Sequence, residues 1–167
     1  MIKHWMMKGV SATVSSLITP TGGLLGFDDT PLSATYAANS PIIDGDQTTA
    51  ILTCQNRGFG VDLGAAKQIS KGILYLNAPA TGRTGFYSDA YGTIDLYSSA
   101  DNSTWILQKE LVNPAWESPH TVGSTTCFTI TITPDVPFTA RYMVGWASQL
   151  ADNVGSWVSM CETEAYS

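Results

Sequence analysis

The stretch CFTITIT, Cys127 to Thr133, decides the fold class. Phe128, Ile130 and Ile132 fall on one side of an extended chain and Thr129, Thr131 and Thr133 on the other, the period of a half-buried strand. Working outward, FGVDLG (59–64), ISKGILYLN (69–77), GTIDLYSS (92–99), TWILQKEL (104–111), FTARYMVGW (138–146) and WVSMCETEAYS (157–167) read as further strands. Turn formers separate them: Gly64-Ala65-Ala66, Ala100-Asp101-Asn102-Ser103 and Thr133-Pro134-Asp135. With no amphipathic helical stretch of ten or more residues between the strands, the pattern predicts an all-β protein, an antiparallel β-sandwich or barrel. The N-terminal third is less regular. GVSATVSSLI alternates weakly and TPTGGLLGFDDTP is dense in Gly and Pro, so residues 1–33 are expected to form an arm or first strand with a Gly/Pro loop.

A chain of 167 residues with 44% hydrophobic content fills one sizeable core but not two. Charged residues are 13%, against the roughly 25% usual in soluble proteins, while Ser and Thr number 36. Hydroxyls rather than ions solvate such a surface, as in many extracellular binders and virion proteins. The net charge of −6 and the scattered Lys and Arg leave no basic patch for phosphate, so nucleic acid is not an expected partner. No apolar run reaches the roughly 18 residues of a spanning helix, so membrane insertion is not expected. Polar residues interrupt MIKHWMMKGV before it builds the apolar core of a secretory signal; the expectation is a product left in the producer's cytosol, or released by assembly or lysis. Cys54, Cys127 and Cys161 lack metal-ligand spacing and read as buried free thiols, with a single bridge as the alternative.

Four pieces, in order, resemble the discoidin or coagulation-factor C-type family, which includes galactose-binding-like carbohydrate-binding modules. They are IIDGDQTT (42–49), GVDLGAAKQISKGILYLN (60–77), IDLYSSADNSTWI (94–106), and FTARYMVGW with the terminal CETEAYS. The resemblance spans residues 34–167 and implies a galactose-binding-like jelly-roll sandwich. Two positions depart from the pattern: Ala50-Ile51 replace the usual aromatic, and the Ala-Arg-Tyr strand lacks its second basic residue. Physically, Asp62 and Gly64 are expected to end a strand in a tight turn, Trp105 and Tyr142 to fill the inter-sheet core, and Arg141 to pair with a carboxylate such as Asp62.

Hard cations take several oxygens at once, and Asp44 to Thr49 offers them on a Gly turn. The resemblance implies a structural Ca2+ held by Asp44, Asp46, Thr49 and Glu162, with Glu164 facing the same side; a plain Asx-type turn is the alternative. Sugar recognition needs an aromatic ring and a few fixed polar groups. Loop residues of this kind are Asn56, Arg57 and Phe59, then Arg83, Phe86, Tyr87, Asp89 and Tyr91 in TGRTGFYSDAYG, then Trp116 and His120 in NPAWESPH. His4 and His120 lie in no Ser- or Cys-centred motif, so a nucleophilic triad has no base, and no phosphate-cradling Gly motif occurs. The resulting expectation is a non-catalytic glycan-binding module on a virion or extracellular surface. The alternative is a structural phage protein (tail, baseplate or capsid decoration) whose partners are neighbouring virion proteins or copies of itself.

Overall fold

In the computed structural model the alternation of the deciding stretch is realised: Ile130 and Ile132 are buried, and Thr129 and Thr131 are half-buried. The structure describes residues 15–26, 37–38, 43–45, 51–53, 57–77, 93–112, 117–122, 125–148 and 158–167. These form β1 (Leu17–Ile18), β2 (Gly22–Gly26), β3 (Ala37–Ala38), β4 (Ile51–Thr53), β5 (Arg57–Ile69), β6 (Lys71–Asn77), β7 (Thr93–Ser99), β8 (Ile106–Val112), β9 (Glu117–Val122), β10 (Thr125–Ile132), β11 (Phe138–Ser148) and β12 (Val158–Tyr166). One sheet has the order β1-β12-β6-β10-β9, with β4 also on β12; the other runs β3-β2-β5-β11-β7-β8. Every pairing is antiparallel. The predicted all-β sandwich is therefore the observed architecture.

The core lies between the sheets. Phe59, Val61, Leu96 and Met143 of the second sheet meet Leu74, Ile130, Ile132 and Ala165 of the first. Gly145 makes this approach possible, since a Cβ there would run into the Leu74 side chain. Phe59, a candidate ligand residue in the sequence, is 2% exposed and belongs to this core.

Three local expectations are corrected. Gly64-Ala65-Ala66 does not end a strand: β5 continues to Ile69, and four of its residues, Leu63 to Ala66, stand against Arg141 alone of β11. The irregularity is a bulge. Gly64 takes φ +73°, the Asp62 carboxylate accepts its N–H at 2.8 Å, and pairing then resumes at Lys67. The segment 69–77 is instead interrupted at Ser70, whose N–H bonds the Tyr166 carbonyl at 2.7 Å, so the chain crosses there from one sheet to the other. Trp105 and Tyr142 are buried, but not between the sheets. Tyr142, Val144 and Trp146 alternate with core-facing Met143, and they cluster with Leu24, Tyr97 and Trp105 on the opposite face of the second sheet. Strand periodicity puts neighbours of Met143 on that face regardless of their size.

The Ser99-to-Trp105 hairpin shows how the sequence delivers Trp105. The Asp101 carboxylate accepts the N–H groups of Ser103 and Thr104 at 2.9 and 2.8 Å and the Ser99 hydroxyl at 3.0 Å. Ser99 Oγ in turn accepts the N–H groups of Asp101 and Asn102. Asn102 adopts φ +60°, a conformation Asn tolerates better than most residues. The N–H groups of Thr104 and Ser103 hold the Asp101 carboxyl far below the usual carboxylate range.

The expected Asp62–Arg141 pair forms and bridges the bulge, with Arg141 Nε and Nη2 each 2.9 Å from one Asp62 oxygen. Hydrogen bonding from Arg141 holds the Asp62 carboxyl below its usual 3.8. A depressed folded-state value stabilises the fold above the unfolded value and ceases to do so as pH falls through the folded one. Asp62→Asn is thus expected to lower the urea midpoint modestly at pH 7, because the pair is partly solvated. The gap to wild type closes as pH drops below 3.8. A gap that persists in acid would assign the loss to packing instead.

Candidate functional site

The topology sorts the connections into two ends. β5 and β6 are joined by Ser70 alone and β10 and β11 by Thr133–Pro137, so these turns mark one end of the sandwich. At the other end stand Arg57, Asn77, Thr93, Val112, Val122, Ser148 and Val158, the termini of seven strands from both sheets. Residues 78–92, which contain Arg83, Phe86, Tyr87, Asp89 and Tyr91, join Asn77 to Thr93, and residues 113–116, with Trp116, leave from Val112. Antiparallel pairing therefore roots residues 78–92 at this end on both sides, whereas residues 113–116 begin there at Val112 and enter β9 at Glu117, which stands opposite Thr129, below Val122. Arg83, Phe86, Tyr87, Asp89, Tyr91, Trp116 and Asn56 themselves lie outside the described residues.

Two candidates expected in loops are in strands. Arg57 is the first residue of β5, opposite Ala147, and His120 lies in β9, opposite Cys127. Sequence reasoning missed β9 because Pro119 argues against a central strand. Among the described residues β9 is an edge strand, where a missing N–H need not break a ladder.

The suspected metal turn packs on the first sheet. β12 pairs with β4 through Val158 to Met160 and with β1 through Ala165 and Tyr166. Between these contacts, Gly45 donates its N–H to Glu162 Oε2 at 2.9 Å. Gly45 takes φ +75°, which favours glycine, and the turn brings Asp44 next to this contact. Glu162 is 7% exposed and Asp44 is exposed. Asp46 and Thr49 lie outside the described residues. Among the described residues no three His, Cys, Asp or Glu side chains converge as a metal cage.

Glu164 is otherwise engaged. Its Oε2 accepts the hydroxyls of Tyr75 and Tyr166, each at 2.8 Å, and Lys71 Nζ sits 3.9 Å above the Tyr166 ring. Burial, then the Glu164 bond, pushes the Tyr166 phenol up to about 12 and raises Tyr75 further, so both remain donors over the working pH range. Their geometry staples β6 to β12 and gives Glu164 a structural occupation.

Two packed antiparallel sheets form a β-sandwich with the galactose-binding-like, discoidin-type fold. Solved structures share it. A family 32 carbohydrate-binding module from Clostridium perfringens, in complex with galactose, superposes with a TM-score of 0.57 at 19% identity, covering 92% of this chain and 100% of that one. The family 32 module of AlyQ, in complex with 4,5-unsaturated mannuronic acid, gives 0.56 at 16% identity over 90% of this chain and 97% of that one. A chitosan-binding module from a Paenibacillus chitosanase/glucanase gives 0.57 at 15% identity over 91% and 99%. No protein-family model and no curated protein matches the chain.

Proposed function

We propose that this protein is a non-catalytic glycan-binding module that takes its sugar at the sandwich end where residues 78–92 are rooted and residues 113–116 begin. The observation that carries this reading is topological: antiparallel pairing roots both sides of residues 78–92, a segment rich in aromatic and polar residues, at one end, where residues 113–116 also begin. The fold is one shared with modules solved with galactose and with unsaturated mannuronic acid. Chemically, Tyr87 or Trp116 offers a flat ring to the C–H face of a pyranose. Arg83 and Asp89 supply a donor fork and an acceptor pair for its hydroxyls.

Saccharide-array binding by wild type, Tyr87→Ala and Trp116→Ala tests it. Wild type is expected to retain a sugar that at least one variant binds roughly tenfold more weakly or worse, a loss of about 1.4 kcal/mol. Both variants should melt like wild type. Absence of saccharide binding by wild type, or full binding by both variants, rejects the reading.

The same proposal includes a structural Ca2+ at Asp44, Asp46, Thr49 and Glu162. Oxygen donors on a Gly turn against a buried carboxylate fit a hard cation, and the ion would supply charge neutralisation between turn and strand. A ligand that binds only the folded state stabilises it by mass action. Adding Ca2+ after chelation is expected to raise the melting temperature of wild type by several degrees and to leave Glu162→Gln unmoved. A wild-type transition indifferent to both chelator and Ca2+ removes the metal from the model of function.

A further inference from the structure

Asp95 is poorly satisfied for a buried carboxylate. The half-buried Asp62 accepts three hydrogen bonds and Glu164 two. Asp95 is 7% exposed, yet its Oδ1 has no hydrogen-bond partner, and the carboxylate is left with the Thr93 hydroxyl and a long 3.3 Å contact from the Tyr97 hydroxyl to Oδ2. Saturating a buried carboxylate is the rule because an unpaired one forfeits its hydration.

Its surroundings compound the cost. Asp95 stands directly opposite Trp146 of β11 and Glu110 of β8. Directly opposed residues share a face, so two carboxylates confront each other across β7 and β8, an arrangement that destabilises strand pairing. Among the described residues, the groups on this face near Asp95 are Glu110 from β8, Thr93 and Tyr97 from its own strand, and Trp146 and Val144 from β11; none is a cation. Lys109, next to Glu110, is committed to Asp135 at 2.6 Å. Among the described residues β8 is moreover the edge strand of its sheet, paired with β7 alone, and its register with β7 slips between Leu96 and Tyr97.

We propose that Asp95 and Glu110 form a proton-controlled latch on the edge strand: β8 stays closed against β7 while Asp95 carries a proton, and loosens when Asp95 is ionised. Burial first, and Glu110 second, hold the Asp95 carboxyl above the ordinary 3.8. A closed state that raises a carboxyl's value binds the proton more tightly than the open state does. The closing advantage is therefore complete below 3.8 and is lost as pH rises through the closed-state value. Each unit of separation between the two values is worth about tenfold in the closed-to-open ratio.

Amide hydrogen exchange by NMR on the whole chain, corrected for the intrinsic pH dependence of exchange, reads the latch, and the Asp95 carboxyl carbon shift reports its midpoint. The expected result is a fall in protection of the β8 amides through the Asp95 titration, roughly tenfold per unit of displaced midpoint, while β5 and β11 do not follow. Asp95→Asn should hold β8 protection flat. Glu110→Lys, which leaves Asp95 in place and buried but sets a cation opposite it, should lower the Asp95 midpoint and shrink the fall in protection. Flat β8 protection in wild type, an Asp95 midpoint in the ordinary carboxylate range, or the same fall in Glu110→Lys overturns the proposal.

Discussion

Gly60→Ala is expected to destabilise the protein by about 3 kcal/mol, a large share of the roughly 5–15 kcal/mol typical of a folded domain. Gly60 lies in β5 opposite Val144 of β11 and Leu24 of β2. A Cβ on it would meet the Met143 carbonyl oxygen and lie 2.7 Å from Val144 Cα and 2.9 Å from Met143 C. These are backbone atoms, and β11 cannot retreat, because its other edge is paired with β7 from Tyr142 to Ser148. Relief requires parting the ladder at the centre of the second sheet. Gly22→Ala on the neighbouring strand is the control, since its Cβ would make an ordinary 3.8 Å contact with Asp62 Cβ. Urea titration of both variants checks the claim; equal midpoints would show that β11 accommodates the methyl.

Trp146→Ala is the other large effect, at about 4 kcal/mol and a fall in melting temperature of about 10 °C. The indole is 1% exposed although it projects from the face of the second sheet that does not meet the first. Its neighbours in that cluster, Tyr142, Val144 and Trp105, would border the vacated volume. Because these neighbours are rigid or strand-bound, the cavity collapses only in part, which is why the loss exceeds simple transfer of an indole to water. Trp146→Phe should recover about half of it. A melting temperature for Trp146→Ala within about 2 °C of wild type would mean that this face contributes little to stability.

The sites show different degrees of legibility. The Asp101 hairpin was readable because every partner lies within six residues, from Ser99 to Trp105. The Asp62–Arg141 pair, 79 residues apart in sequence, was readable through the resemblance of the two strands that carry it. Gly64 misled because a Gly after Asp-Leu is the local mark of a turn, and only the resumed pairing of Lys67 with Ala140 makes it a bulge. Asp95 sits in the strand IDLYSS, and its apolar and polar neighbours there give no sign that Glu110 lies opposite. That juxtaposition depends on the register of β7 against β8. The same is true of Glu162 receiving the Gly45 N–H across 117 residues.

By itself the sequence determined that the chain is all-β, through the two-residue period of CFTITIT, and supplied the turn chemistry around Asp101. These are consequences of steric alternation and local hydrogen bonding, which depend on residues adjacent in the chain. Tertiary structure alone decided which end of the sandwich roots residues 78–92, that Trp105 and Tyr142 pack outside the inter-sheet core, and that Asp95 stands opposite Glu110. Each of these depends on strand order and register. A period of two fixes which residues share a face, but only the pairing of distant strands fixes which face is covered and what stands opposite.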